Sequence, residues 1–167
     1  MSRFTLRHMV RSAVIAALYA AITMALAPIS YGQIQFRVSE AMTLLAFIDP
    51  WYIPGLFLGC VLANLSSPLG WIDVVVGSGA TLVALGGIAL VRRALGPSVK
   101  ALMLASLMPV VANGLLVGWE LNYLFQIPYL LAAAYVAAGE LVVVTAFGTV
   151  LFRQILRNEA LVKLLKF

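Results

Sequence analysis

Trp71-Ile-Asp-Val-Val-Val-Gly-Ser-Gly-Ala-Thr-Leu-Val-Ala-Leu-Gly-Gly-Ile-Ala-Leu90 reads as a membrane-spanning helix, because about 20 residues rising about 1.5 Å each match a roughly 30 Å hydrocarbon core. Asp73 is the one charge in the run. Arg92 and Arg93 close it, Gly96-Pro97 makes the turn that follows, and Ser98 is placed to cap the next helix. The rest of the chain has the same character: with 63% apolar residues, 10% charged residues and a mean hydropathy of +1.06, it has too little polar surface to be soluble. We therefore expect an all-α integral membrane protein, one domain over residues 1–167, with room for five or six spans and none for a soluble catalytic domain.

Residues 9–29 form the first span. Basic residues precede it as they would a signal peptide, but the run is long for one and further spans follow, so it reads as a retained helix. The next apolar run, 37–49, is only about a dozen residues, about 18 Å of helix. The second helix is therefore short, or begins as a polar segment buried against protein. Asp49-Pro50 supplies a cap and a first-turn proline for a third, also short, helix that runs to residue 65 before Ser66-Ser67-Pro68 breaks it. After 71–90, a fifth helix covers 101–118, residues 119–127 form an aromatic and polar loop, and Pro128 opens a last helix that reaches residue 155. The expectation is six transmembrane helices, with helices 2 and 3 short.

The basic residues orient this frame. Arg3, Arg7 and Arg11 precede the first span, Arg92, Arg93 and Lys100 lie between the fourth and fifth, and Arg153, Arg157, Lys163 and Lys166 follow the last. The positive-inside rule then puts both termini in the cytoplasm of a multi-pass plasma-membrane protein, and leaves Arg37 as the lone outer base. A pI near 9.7 thus reports orientation and not nucleic-acid binding. Cys60 is the only cysteine and His8 the only histidine, which excludes an intrachain disulfide and a cysteine metal cluster. There is no phosphate loop, zinc-protease pair or Ser/His arrangement, so no enzyme and no cofactor is expected.

Four acids sit in or beside the apolar stretches, all on the outer side of this topology: Glu40, Asp73, Glu120 and Glu140. A carboxylate near the middle of a membrane helix costs roughly 2.5 to 3.5 kcal/mol on insertion scales, so it usually faces a cavity, a partner charge or a ligand. Glu140, about 18 Å beyond Pro128 along its helix, is expected to be buried and functional. Asp73 serves either a site or only the helix dipole. Glu120 is expected in the outer loop, solvated. Asn64 and Asn113 lie at helix depth and either bond between helices or touch ligand. Residues 33–39 alternate polar and apolar as a strand-like loop would, while Gln33, Arg37 and Glu40 would equally share a helical face; both readings put Arg37 beside Glu40. That pair is either a surface contact worth under about 1 kcal/mol or part of a lid over a pocket, and the lid is the reading adopted.

Small residues recur every four positions in two places: Ala13, Ala17 and Ala21, with Ala16 and Ala20 beside them, and Gly55, Gly59 and Ala63. Both stripes permit close helix approach, and spacing alone favours packing inside the chain.

The string Pro28-Ile-Ser-Tyr-Gly-Gln-Ile-Gln-Phe-Arg-Val-Ser-Glu40, with Pro54-Gly-Leu-Phe-Leu-Gly59, Ala63-Asn64, Trp71-Ile-Asp73, Asn113-Gly114 and Gly139-Glu140, resembles the queuosine-precursor transporter (QueT-type) family over most of the chain. Its members are substrate-binding S components of energy-coupling factor (ECF) transporters, a kind of ABC importer. The resemblance implies six helices, a pocket opening outward, and an alanine motif on helix 1, matched by Ala13 and Ala17 and continued by Ala21, that docks a transmembrane coupling subunit. Two partner ATPases would supply the energy. The implied cargo is a 7-deazaguanine such as preQ1 or preQ0, or queuine. The alternatives are another vitamin or a cationic amine as cargo, or a non-transporting membrane scaffold. A guanine-like edge offers adjacent N–H donors that suit a carboxylate, and an aminomethyl group adds a cation for a second one. The expected substrate site comprises Gln35, Arg37, Glu40, Asn64, Asp73, Asn113 and Glu140, with Tyr31, Phe36, Trp71 or Tyr123 stacking on the ring.

Overall fold

The structure is a computed structural model that describes residues 6–32 and 34–166; Arg3 and Gln33, which entered the expectations above, lie outside them. The described residues are helical, with no strand. Helix α1 covers Leu6–Ala25, and the helix is interrupted at Leu26 before a single turn, α2 (Ala27–Ser30), that carries Pro28 in its first positions. The short second helix is a 3-10 segment, Val38–Leu44, continued by α3 (Leu45–Ile48). Asp49 then accepts a hydrogen bond from the Trp51 amide at 3.1 Å and opens a 3-10 turn, Pro50–Tyr52, as its cap-proline pattern predicts. Helix α4 (Ile53–Asn64) is about 18 Å long, also short.

Two long helices follow, α5 (Trp71–Leu95) and α6 (Val99–Phe125), with the Ser98 hydroxyl accepting from the Ala101 amide at 3.1 Å. Here the expectation is corrected: residues 119–125 are helix, not loop. No breaker stands between Gly118 and Pro128, so α6 continues until Gln126 takes a left-handed conformation at φ +56°. The last span is α7 (Tyr129–Glu140), a π-helical stretch (Leu141–Gly148) and α8 (Thr149–Arg157), followed by α9 (Glu159–Leu165), which is capped by Asn158. By length and composition, four helices can cross a membrane: His8–Ala25, Trp71–Leu95, Val99–Phe125 and Tyr129–Arg157.

Close packing in lipid depends on small residues, since tails are as apolar as leucine. A Cβ on Gly55 would lie 2.7 Å from the Ser12 carbonyl oxygen, and one on Gly59 2.8 Å from that of Ala16, so α4 rests directly on the α1 backbone. Gly118 meets Ala133 in the same manner where α6 crosses α7. The main core gathers Tyr19, Leu44, Phe47, Leu56, Leu85, Ile88 and Leu102, and a smaller cluster of Ala80, Val117, Leu121, Ala132 and Val136 packs towards the other end. The first and last described helices meet at one end: the Arg11 guanidinium donates to the carbonyls of Lys166 (2.7 Å) and Leu164 (3.3 Å), and the Tyr52 hydroxyl to that of Leu165 (2.8 Å). Ala13, Ala17 and Ala21 face outward while Ala16 and Ala20 are buried, so the expectation of internal packing holds for the α4 stripe and not for this one.

Candidate ligand site

In the half of the bundle away from the termini, polar side chains converge beneath residues 34–44. Glu40, held by the 3-10 helix, is wholly buried, and its Oε1 accepts from the Tyr19 hydroxyl on α1 and from Thr81 Oγ1 on α5 at 3.0 Å. Thr23, one turn beyond Tyr19, shares a 2.5 Å hydrogen bond with Ser39. These contacts fix the segment to α1 through polar atoms at helix depth. Gly139 lets the preceding stretch cross α7: a Cβ there would run into the Ile34 carbonyl and come 2.9 Å from that of Gln35. Gln35 itself is buried with φ +50°, a left-handed backbone that costs a non-glycine residue roughly 1 to 2 kcal/mol.

Arg37 is 4% exposed and lies 3.7 Å from Asp73 Oδ2 in the first turn of α5. This corrects the expected pairing with Glu40, whose hydrogen-bonded oxygen is taken by Tyr19 and Thr81. Arg37 also stands over the Tyr31 ring at 5.6 Å. Burial raises the Tyr31 phenol pKa above its ordinary value, with Arg37 acting in the opposite sense. The Asn64 amide donates to the Asp73 carbonyl and to Ser78 Oγ, both at 3.1 Å, and Asn113 donates to Glu140 Oε1 at 2.7 Å. Both asparagines thus bond between helices and each keeps a buried carbonyl oxygen with no partner. Glu140 ends α7 where the π-helical stretch begins.

All seven expected substrate residues, Gln35, Arg37, Glu40, Asn64, Asp73, Asn113 and Glu140, are therefore buried in one half of the molecule. Glu120 joins them. It is wholly buried with neither oxygen hydrogen-bonded, because α6 runs past the point where a loop was expected. Tyr19, Thr81 and Cys60, which accepts from Asn64 at 3.5 Å, were also missed; the sequence signal was the Ala16, Tyr19, Ala20, Thr23 spacing, a second face of α1 that carries hydroxyls. Trp71 and Tyr123 do not approach this group: they are 77% and 60% exposed, and Tyr123 stacks on Trp119 at 5.8 Å. Such outward aromatics suit a membrane interface. Phe36 is partly buried and packs on the main core.

Among the described residues, hydrogen-bond partners are lacking for one oxygen each of Glu40 and Glu140, both carboxylate oxygens of Asp73 and Glu120, the Gln35 amide nitrogen, and Nε and Nη2 of Arg37. A buried polar group without a partner costs about 1 to 3 kcal/mol, and more when charged. The arrangement offers several acceptors and a few donors to a molecule rich in N–H groups with a carbonyl. It lies apart from an open cleft of about 510 Å³ near the termini, lined by Ile48, Pro50, Gly86, Ala89, Leu90, Arg92 and Arg93, which shares no residue with it. No trio of His, Cys, Asp or Glu among the described residues is placed to hold a metal.

The sequence profile of the QueT transporter family matches residues 9–157. A curated relative, the queuosine precursor transporter QueT of Lactococcus lactis subsp. cremoris (strain MG1363), is 36% identical over 137 residues, covering 77% of this chain and 80% of that protein. No solved structure matches the chain. A multi-pass helical membrane architecture, a polar group buried within it and a family match over most of its length agree, and the chain belongs to the QueT transporter family.

Proposed function

We propose that this chain is the substrate-binding S component of an ECF-type importer and that it captures a queuosine precursor, a 7-deazaguanine, from outside the cell. The observation that carries the reading is the set of buried, unpartnered acceptors and donors under residues 34–44 in a member of a transporter family. Glu40 and Glu140, each with one free oxygen, suit the adjacent N–H donors of a guanine edge; Arg37 or Gln35 suits its carbonyl. Asn64, Asp73 and Asn113 complete the site. Because its members are almost wholly buried, residues 34–44 must move for cargo to enter, and they serve as the lid.

In this reading the short helices Val38–Ile48 and α4 count as the second and third of six spans, set among the four long ones. The outward stripe Ala13, Ala17 and Ala21 receives a transmembrane coupling subunit, and two partner ATPases drive release inward. Both termini are cytoplasmic in a plasma-membrane protein. Single cysteines at Ile34 and Tyr123, both exposed, in a Cys60→Ala background should label from outside; labelling only after permeabilisation would invert the orientation.

The cargo is tested by thermal shift of the purified chain against deazaguanines, purines, vitamins and simple amines. A ligand that binds only the folded protein raises the midpoint with concentration, by about 2.7 kcal/mol of stability at a hundredfold excess over Kd. A shift with deazaguanines alone supports the proposal. A shift with another vitamin or amine alone would keep the S-component reading and replace the cargo.

A further inference from the structure

We propose that Glu120 and Asp73 form a binding subsite for a protonated amine, so that the cargo is captured as a cation and a neutral 7-substituent is disfavoured. This rests on the reading of the chain as a deazaguanine-binding subunit. Two pairs of carboxylates occupy the site. In the first, Glu40 and Glu140 each spend one oxygen on hydrogen bonds: Glu40 with Tyr19 and Thr81, Glu140 with Asn113. In the second, Asp73 in the first turn of α5 and Glu120 near the end of α6 lie at the same end of two adjoining antiparallel helices, and no oxygen of either acid has a hydrogen-bond partner. Both residues of the second pair are 0% exposed.

Charge balance separates the two pairs. Among the described residues these four acids are buried with one base, Arg37, whose 3.7 Å approach to Asp73 is longer than the roughly 2.7 to 2.9 Å of a charge-assisted hydrogen bond. The one guanidinium lies against Asp73 and leaves both oxygens of Glu120 without a partner. An ammonium group supplies a positive charge and three donors at once. A neutral donor supplies only hydrogen bonds. Position agrees with chemistry: Asp73 is two residues from the start of α5 and Glu120 five from the end of α6, whereas Thr81, which binds Glu40, lies about 12 Å deeper along α5. A bicyclic base whose N1–H and 2-amino edge meets the deep pair carries its 7-substituent on the other ring, towards the shallow pair.

The test is titration calorimetry of the purified full chain with two ligands that differ only in charge and group at that position, 7-aminomethyl-7-deazaguanine and 7-cyano-7-deazaguanine. The wild type should bind the aminomethyl compound on the order of tenfold to a hundredfold more tightly, the worth of one charge-assisted contact. Glu120→Gln should remove most of that preference by weakening the amine, with a much smaller change for the nitrile, whose retained binding also certifies folding; Asp73→Asn, which also releases Arg37, should weaken the amine more than the nitrile. Equal affinities in the wild type, or tighter binding of the nitrile, overturn the inference and leave the deazaguanine reading standing. Equal losses of both ligands in both variants also overturn it, since those residues would then shape the site without reading charge. Binding of neither compound to folded wild type withdraws the deazaguanine reading, and this inference with it.

Discussion

Helices α1 and α4 each carry small residues every four positions, and the fold uses them in opposite ways. On α4, Gly55, Gly59 and Ala63 turn inward, so close to α1 that backbone meets backbone at Ser12 and Ala16. On α1, Ala13, Ala17 and Ala21 point away from the rest of the chain, one helical position round from the buried Ala16, Tyr19, Ala20 and Thr23. Spacing certifies that a helix can be approached, but not by what. What distinguishes the faces is polarity: Tyr19 and Thr23 have hydroxyls that end on Glu40 and Ser39, so that face is tied to the polar group, while the outward face is apolar, with Val14 and Leu18 exposed beside the alanines. In lipid, a small-residue apolar face gains from a second helix through packing alone.

The sharpest way to break this contrast is Gly59→Leu. The atoms that its side chain would meet are backbone of Ala16 and Cβ of Tyr19, which cannot rotate away, so the cost should reach or pass the upper end of the roughly 1 to 3 kcal/mol typical of overpacking. Unfolding in detergent should show a large drop in stability or no folded protein; an unchanged midpoint would mean that α1 and α4 do not pack as described. Tyr19→Phe is milder. It leaves Glu40 Oε1 with Thr81 as its remaining donor, costing about 1 to 3 kcal/mol and weakening any ligand that relies on Glu40. An effect on stability without one on ligand affinity would detach Tyr19 from the site. Ala17→Trp should be the smallest for the isolated chain, within about 0.5 kcal/mol in stability and without effect on ligand affinity, because the position faces outward. Uptake by cells that supply the proposed coupling subunit and ATPases should nevertheless be lost. Intact uptake in Ala13→Trp and Ala17→Trp would assign that face to lipid.

The apolar class, the two short middle helices and the caps at Asp49 and Ser98 are legible in the sequence because each depends on residues within a turn or two. The candidate-site residues are legible for a different reason. A carboxylate, an arginine or an amide in so apolar a chain has few places to go, and Gln35, Arg37, Glu40, Asn64, Asp73, Asn113 and Glu140 went to one region. Partner choice was hidden. Arg37 meets Asp73 in the first turn of α5 while its near neighbour Glu40 turns to Tyr19 on α1 and Thr81 on α5, contacts between elements that no local spacing encodes. Glu120 was hidden by a helix end placed at Gly118, a residue that reads as a terminus but serves the crossing with Ala133. The π-helical stretch after Glu140 was hidden because Leu141–Gly148 is apolar almost throughout, and a uniform run shows no phase shift when one residue is added to a turn. Thr145 is the exception, and it bonds across to the Ser106 carbonyl on α6 at 3.2 Å.

In the proposed function, the buried carboxylates Glu40 and Glu140 bind a deazaguanine in this chain by itself. The most direct measurement is titration of 7-aminomethyl-7-deazaguanine into the purified wild type and Glu140→Gln. The amide at residue 140 would turn a donor towards the ligand's own donor, so the account predicts saturable one-to-one binding in the wild type and a dissociation constant tenfold to about a hundredfold weaker in the variant. Saturable binding of equal strength in both, or no heat from folded wild-type protein, would contradict it.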